Sequence, residues 1–130
     1  KRFQLLSGKE IMLVRGIFLN ASKCKTFSAG ETIFKKGDRG DFMYGVIEGQ
    51  VEIINDGKTI ATVGKDDVFG EMALIDKSPH SASAIAKTDC KLAIVNEHLF
   101  LFLVQETPTF ALQVMSVMAD RIRRLNEANE

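Results

Sequence analysis

Six runs rich in β-branched and aromatic residues, at 32–34, 42–47, 51–54, 59–63, 83–86 and 90–95, are each six residues long or shorter. Turn formers punctuate them at Ala29-Gly30, Lys36-Gly37-Asp38, Glu48-Gly49, Asn55-Asp56-Gly57 and Gly64-Lys65-Asp66. Closely spaced short strands of this kind indicate an all-β barrel or jelly roll. The sharpest signal among them is Asn55-Asp56-Gly57, set between two alternating runs, which predicts a tight hairpin.

The flanks have a different period. Leu5, Leu6, Ile11, Met12, Val14, Ile17 and Phe18 recur at three- and four-residue steps and predict a helical stretch ending near Asn20. Beyond Asn96, residues 97–104 read as a short helix. Thr107-Pro108 then reads as an N-cap followed by proline at the first helical position, with a long helix running toward Asn126. Ala111, Met115, Met118, Ile122 and Leu125 follow the four-three step of a coiled-coil seam, while Phe110, Val114 and Val117 form a second apolar stripe. One stripe is expected to face the barrel and the other a partner chain, which predicts a homodimer through this helix. The chain is therefore read as one domain over 1–130: an N-terminal helical segment at 1–20, a β-roll at 21–96 and C-terminal helices at 97–130.

Composition narrows the function. Seventeen basic and seventeen acidic residues cancel, so no general nucleic-acid surface is expected. Two cysteines, Cys24 and Cys90, form no CxxC pair and read as buried thiols in a reducing, cytoplasmic setting. No apolar run is long enough for a bilayer and no signal peptide is visible. The only histidines, His80 and His98, make no paired-ligand motif, which argues against a metal-dependent β-barrel enzyme. No nucleophile–base arrangement is apparent either, so no catalytic residue and no metal are expected.

The chemistry concentrates in the stretch VFGEMALIDKSPHSASA, residues 68–84. Phe69 reads as core at a strand end. Gly70 permits a positive φ or a close backbone approach. A helical turn starting at Glu71 would point free N–H groups back at Gly70, an arrangement that suits phosphate. Glu71 would repel that phosphate, and makes better sense accepting hydrogen bonds from a neutral diol. On its own it reads as a helix-start charge. Pro79 stiffens the return, and Ser81 and Ala82 offer a hydroxyl and backbone N–H groups.

This string resembles the phosphate-binding cassette of the cyclic-nucleotide-binding domain family, which includes catabolite activator (Crp/Fnr-like) proteins, regulatory subunits of cAMP-dependent protein kinase and cyclic-nucleotide-gated channels. The cassette has the form F-G-E-x-A-L, a short spacer, then P-R-[small]-A. Phe69, Gly70, Glu71, Ala73, Leu74, Pro79 and Ala82 match it. The resemblance extends to Gly30–Phe34, Gly37-Asp38, Tyr44–Gly49 and the strand AKTDCKLAIV at 86–95, and covers about residues 13–125. It implies an eight-stranded β-roll of the double-stranded β-helix type, flanked by an N-terminal helix and a long C-terminal helix. It also implies a non-catalytic regulatory domain that binds a cyclic nucleotide, cAMP ahead of cGMP, and signals through movement of its last helix.

Carried over position by position, the resemblance puts the ribose 2′-hydroxyl on Glu71. The cyclic phosphate falls to the backbone around Gly70, Met72 and Ala73, the N–H of Ala82 and the hydroxyl of Ser81. Arg124, Leu125 and Asn126 lie where the family places a lid over the base. The departure is His80, which stands at the cassette's arginine. Imidazole cannot match a guanidinium that is always charged and grips two oxygens at once. Two readings of His80 stay open: a weaker, pH-sensitive phosphate ligand, or a surface residue of a decayed cassette. The second leads to the alternative function, a degenerate fold that binds no nucleotide and serves as a dimerisation or docking module. Arg121, Arg123 and Arg124 read as a solvated helix face. No helix-turn-helix follows Glu130, so no DNA binding is expected of these residues.

Overall fold

The computed structural model describes residues 23–128, with side chains through Arg123. The helix expected before Asn20 therefore lies outside the described residues. Eight strands run β1 (Lys23–Phe27), β2 (Thr32–Phe34), β3 (Met43–Glu48), β4 (Val51–Asn55), β5 (Lys58–Val63), β6 (Val68–Phe69), β7 (Ser83–Ala86) and β8 (Cys90–Val95). A short helix α1 (Glu71–Asp76) interrupts them between β6 and β7, and α2 (Glu97–Glu106) and α3 (Pro108–Ala128) follow. The strands form two four-stranded sheets, β1-β8-β3-β6 and β2-β7-β4-β5, with every pairing antiparallel. This is the expected eight-stranded roll with a long C-terminal helix.

The β4–β5 hairpin closes where Asn55-Asp56-Gly57 predicts it. Asn55 pairs with Lys58, and the two intervening residues, Asp56 and Gly57, have φ of 52° and 77°. Two positive φ values in succession give the turn whose twist matches that of the strands it joins. Two strands carry no signal of the kind that marks the others. β1 is KCKTF, with four of its five residues exposed, and β6 is only two residues long. Both are strands because the sheet supplies partners: β1 pairs along β8, and Val68-Phe69 pairs with Gly45-Tyr44.

Two apolar clusters hold the fold. One fills the roll between the sheets with Phe27, Phe34, Val46, Val51, Phe69 and Leu92 among others. The second lies between the helices and the other face of the first sheet, where Met43, Val68, Val95 and Leu74 meet Leu103, Phe110 and Val114. The alternation along β3 and β8 sends successive side chains into one cluster and then the other, so these strands are buried on both faces. Of the two cysteines, Cys90 is buried as expected, whereas Cys24 is exposed, because β1 sits at the edge of its sheet.

Thr107 corrects a detail of the helix junction. Its hydroxyl caps nothing: it is buried with no hydrogen-bond partner among the described residues. Its backbone serves both helices instead, donating to the Leu103 carbonyl and accepting from Phe110 N–H, each at 2.8 Å. Pro108 starts α3 as anticipated, and α2 and α3 are bent by 118° relative to each other. No single described helix is long and apolar enough to cross a membrane.

On α3 the stripe Phe110, Val114 and Val117 packs on the sheet, with Phe110 and Val114 each 1% exposed. Met115 and Ile122 of the other stripe are exposed, together with Leu112, while Met118 packs partly against the core.

Candidate functional site

The stretch from β6 to β7 forms one wall of a cleft of about 420 Å³, within the range of small-ligand sites. Phe69 anchors it, fully buried and ring-stacked on Tyr44 at 5.2 Å between centroids. Gly70 follows with φ 76° and ψ 7°, a left-handed conformation at the start of α1. The first N–H groups of α1 have no intrahelical partner and start beside Gly70, which lines the cleft. A Cβ at Gly70 would meet Tyr44, His80 and Phe34 at ordinary contact distances of 3.4–3.5 Å, so the positive φ rather than crowding is what favours glycine here. The middle of α1 is packed against a residue without an evident sequence signal. A Cβ on Gly40 would come within 2.1 Å of that of Ala73, so only glycine allows the 39–42 loop to lie on the helix.

Glu71 is not the surface charge that its isolated reading suggests. It is 0% exposed. Its Oε2 accepts a hydrogen bond from Arg121 Nη1 of α3 at 2.5 Å, and its Oε1 has no partner among the described residues. Burial pushes this carboxyl above the ordinary carboxylate range, and the Arg121 guanidinium pulls against it. Arg121 in turn lines the cleft, with its side chain 22% exposed.

The return segment after α1 is fastened to the end of that helix and to the opposite loop. Asp76 Oδ1 accepts from the Ser78 N–H, at 3.0 Å, and from its hydroxyl, at 2.5 Å. His80 N–H donates to the Asp38 carbonyl at 2.9 Å, and Gly37 N–H donates to the His80 carbonyl at 2.8 Å. Ser83 Oγ accepts from Lys36 N–H at 3.0 Å. The reading of His80 as a surface residue is overturned. Its side chain is buried and lies flat on Phe34, with centroids 3.6 Å apart and planes 6° off parallel. Burial holds the imidazole pKa below its usual 6.5, with the Asp38 carboxylate pulling the other way.

The remaining expected residues divide. Met72, Ala73, Ser81 and Ala82 line the same cleft, Met72 and Ser81 exposed and the two alanines buried. The side chains of Arg124, Leu125 and Asn126 lie outside those described, on the backbone of α3. The far wall is apolar, made by Ile53, Ile60 and Ala61 of the β4–β5 hairpin. Arg121 and Phe34 are the site residues that the sequence reading missed. The sequence places Arg121 on a solvated basic face, but it continues the buried stripe: Phe110, Val114, Val117 and then Arg121, at steps of four, three and four. Phe34 showed only as an apolar strand residue.

Comparison with known proteins agrees with this geometry. The cyclic nucleotide-binding domain family matches residues 24–107. The cyclic AMP receptor protein of Thermus thermophilus is 30% identical over 126 residues, 93% of this chain and 56% of that protein. The cAMP-dependent protein kinase regulatory subunit of Eremothecium gossypii is 38% identical over 76 residues, 58% of this chain and 17% of that subunit. The chain thus spans about half or less of the curated relatives it matches. Among solved structures, the Thermus thermophilus catabolite activator protein superposes with a TM-score of 0.76 at 29% identity, covering 95% of this chain and 58% of that one. The described roll, its cassette and the matched residues lead to one conclusion: the chain belongs to the cyclic nucleotide-binding domain family, in the type shared by catabolite activator proteins and kinase regulatory subunits.

Proposed function

We propose that residues 1–130 form a single non-catalytic regulatory domain that binds cAMP, ahead of cGMP, and signals by moving α3. The observation that carries this reading is Glu71: one carboxylate oxygen is held by Arg121 of α3, and the other is buried in the cassette with no partner among the described residues. In this reading Glu71 accepts the ribose 2′-hydroxyl. The backbone at Gly70, Met72 and Ala73, the Ala82 N–H and the Ser81 hydroxyl receive the cyclic phosphate. Arg124, Leu125 and Asn126 close over the base. The wall of Ile53, Ile60 and Ala61 offers apolar side chains against which a flat base can lie. Two of the relatives also carry cAMP in their names.

The signal follows from the same contact. A ligand that engages Glu71 competes with or reinforces its bond to Arg121, and so biases the position of α3. The bias is limited by the ligand's differential affinity for the two helix positions. The exposed Leu112, Met115 and Ile122 face then serves as a homodimer seam in a cytoplasmic protein. Met115→Glu should convert a dimer to a monomer by light scattering, and a monomeric wild type would end the dimer reading.

Isothermal titration with cAMP and cGMP tests the function itself. Saturable binding that Glu71→Ala weakens about 10- to 100-fold for cAMP, and far less for a 2′-deoxy analogue, is the expected result. Absence of saturable heat with either nucleotide near millimolar concentration would leave the fold as a docking unit acting through α3.

A further inference from the structure

We propose that ligand binding at this cleft takes up one proton, carried by His80, whose imidazole leaves the face of Phe34 to meet the anionic group of the ligand. The inference rests on the nucleotide-binding reading above and adds its regulation by pH.

The geometry separates a fixed backbone from a movable ring. His80 is held to the 37–38 loop through both its N–H and its carbonyl, so its Cα is set at the cleft wall. The side chain has no such tether. Neither ring nitrogen makes a hydrogen bond to the described residues, and the ring is retained by its stack on Phe34. Its Cε1 edge points toward Gly70, about 3.5 Å from where a Cβ on that residue would lie. A rotation about the side-chain torsions carries the ring from the stack toward the start of α1 without disturbing the backbone.

Proton chemistry then decides which form binds. A neutral imidazole has one N–H donor and one lone pair, and the lone pair repels an anion that the ring meets edge-on. An imidazolium donates from both nitrogens and adds charge-assisted strength. A cyclic phosphodiester is a singly charged anion throughout the neutral range, so the proton comes from solvent and stays on the ring. The ring lone pair forms a new N–H bond as the bond from hydronium or buffer acid to the same proton breaks, and no bond of the ligand changes.

The surrounding charges agree with this direction. From the loop opposite, Asp38 favours the charged ring. Across the cleft, Arg121 of α3 disfavours it, but that guanidinium is already committed to Glu71. Asp76 lies at the end of α1, with its carboxylate occupied by Ser78, and Tyr44 stands behind Phe34. In the free domain burial keeps the ring neutral, and a bound anion reverses that balance. The sign follows: the free pKa is depressed and the bound pKa raised. Affinity is then highest below the free value and falls as pH rises toward the bound one.

Three readouts on the purified domain test this. Titration calorimetry with cAMP and cGMP at pH 6 and pH 8, in buffers of different ionisation enthalpy, should show proton uptake and an affinity about tenfold lower at pH 8. The chain has two histidines, so the His80 ring protons are assignable by comparison with a His98→Gln variant. Their titration midpoint should rise on ligand addition. His80→Gln should bind at one pH-independent affinity, and His80→Arg should bind more tightly and equally without pH dependence. Binding that is equal at both pH values, with heats independent of buffer, would overturn the proton role while leaving nucleotide binding intact. Proton uptake that persists in His80→Gln but not in Glu71→Gln would overturn it too, by moving the proton to the other carrier. No saturable heat at either pH would remove the functional reading, and this one with it.

Discussion

Glu71 and His80 stand nine positions apart in one cassette, both buried, yet they are held by different parts of the molecule. Glu71 is bonded to Arg121, fifty residues on, in α3. His80 is stacked on Phe34 of β2 and tied through its backbone to the loop that follows, all within the roll. One polar arm therefore belongs to the helix and the other to the barrel. A ligand that touches both would bridge the helix and the roll, and in the proposed signalling the Glu71 arm is the one that reaches α3.

The comparison can be broken first at Glu71. Removing either partner of the pair is expected to have unequal effects. Arg121→Ala leaves a carboxylate that is fully buried and has no cation, which should cost about 3 kcal/mol of stability. Glu71→Ala leaves a guanidinium already in part reached by water, which can turn outward at a cost of about 1 kcal/mol or less. Denaturant unfolding of the free domain measures both. The pH dependence fixes the cause. Because the folded pKa of Glu71 is raised, its favourable contribution is complete at acid pH and is lost as pH rises through that value. The Arg121→Ala deficit should accordingly shrink on acidification. Equal costs for the two variants would mean that the pair does not hold a buried charge.

The His80 arm should respond more mildly and with the opposite sign. Phe34→Leu keeps the core apolar while removing the stack, at about 1–1.5 kcal/mol. The depressed pKa of His80 means that its contribution to stability is present above the ordinary value of about 6.5 and lost as pH falls through the folded one. Thermal melts from pH 8 to pH 5 should show this acid-side loss in the wild type and less of it in Phe34→Leu. His80→Phe, which retains a flat ring but no proton, should remove it. A loss that His80→Phe leaves unchanged would place the titrating group elsewhere.

How far the sequence went follows from where the information is local. The hairpin at Asp56-Gly57 and the strands from Val51 to Val63 were legible because a two-residue turn and an alternating pattern state their own geometry. Gly70 and Glu71 were legible as a pair because a left-handed residue before a helix is a local device. Strand β1 was not, since its polar, exposed residues become a strand only when β8 offers an edge. Thr107 carried a local cap signal that the packing of the α2–α3 bend overrode, using the backbone in place of the hydroxyl. The charge of Arg121 disguised its place on the buried stripe. The Phe34–His80 stack joins residues 46 apart, and no pattern in either segment announces it.

The unpartnered Oε1 of Glu71 has a consequence for how tightly a ligand can be held. Folding has already stripped this acceptor of water, whether or not a ligand is present. In the proposed ribose contact an arriving hydroxyl displaces no water from this oxygen, so only the hydroxyl's own dehydration offsets a bond whose usual net contribution is about 1.5–3 kcal/mol for a charged acceptor. The cost of dehydration falls on the stability of the empty domain. The site is thus tuned before it is filled, and a fold made more stable by solvating Glu71 would be a weaker receptor.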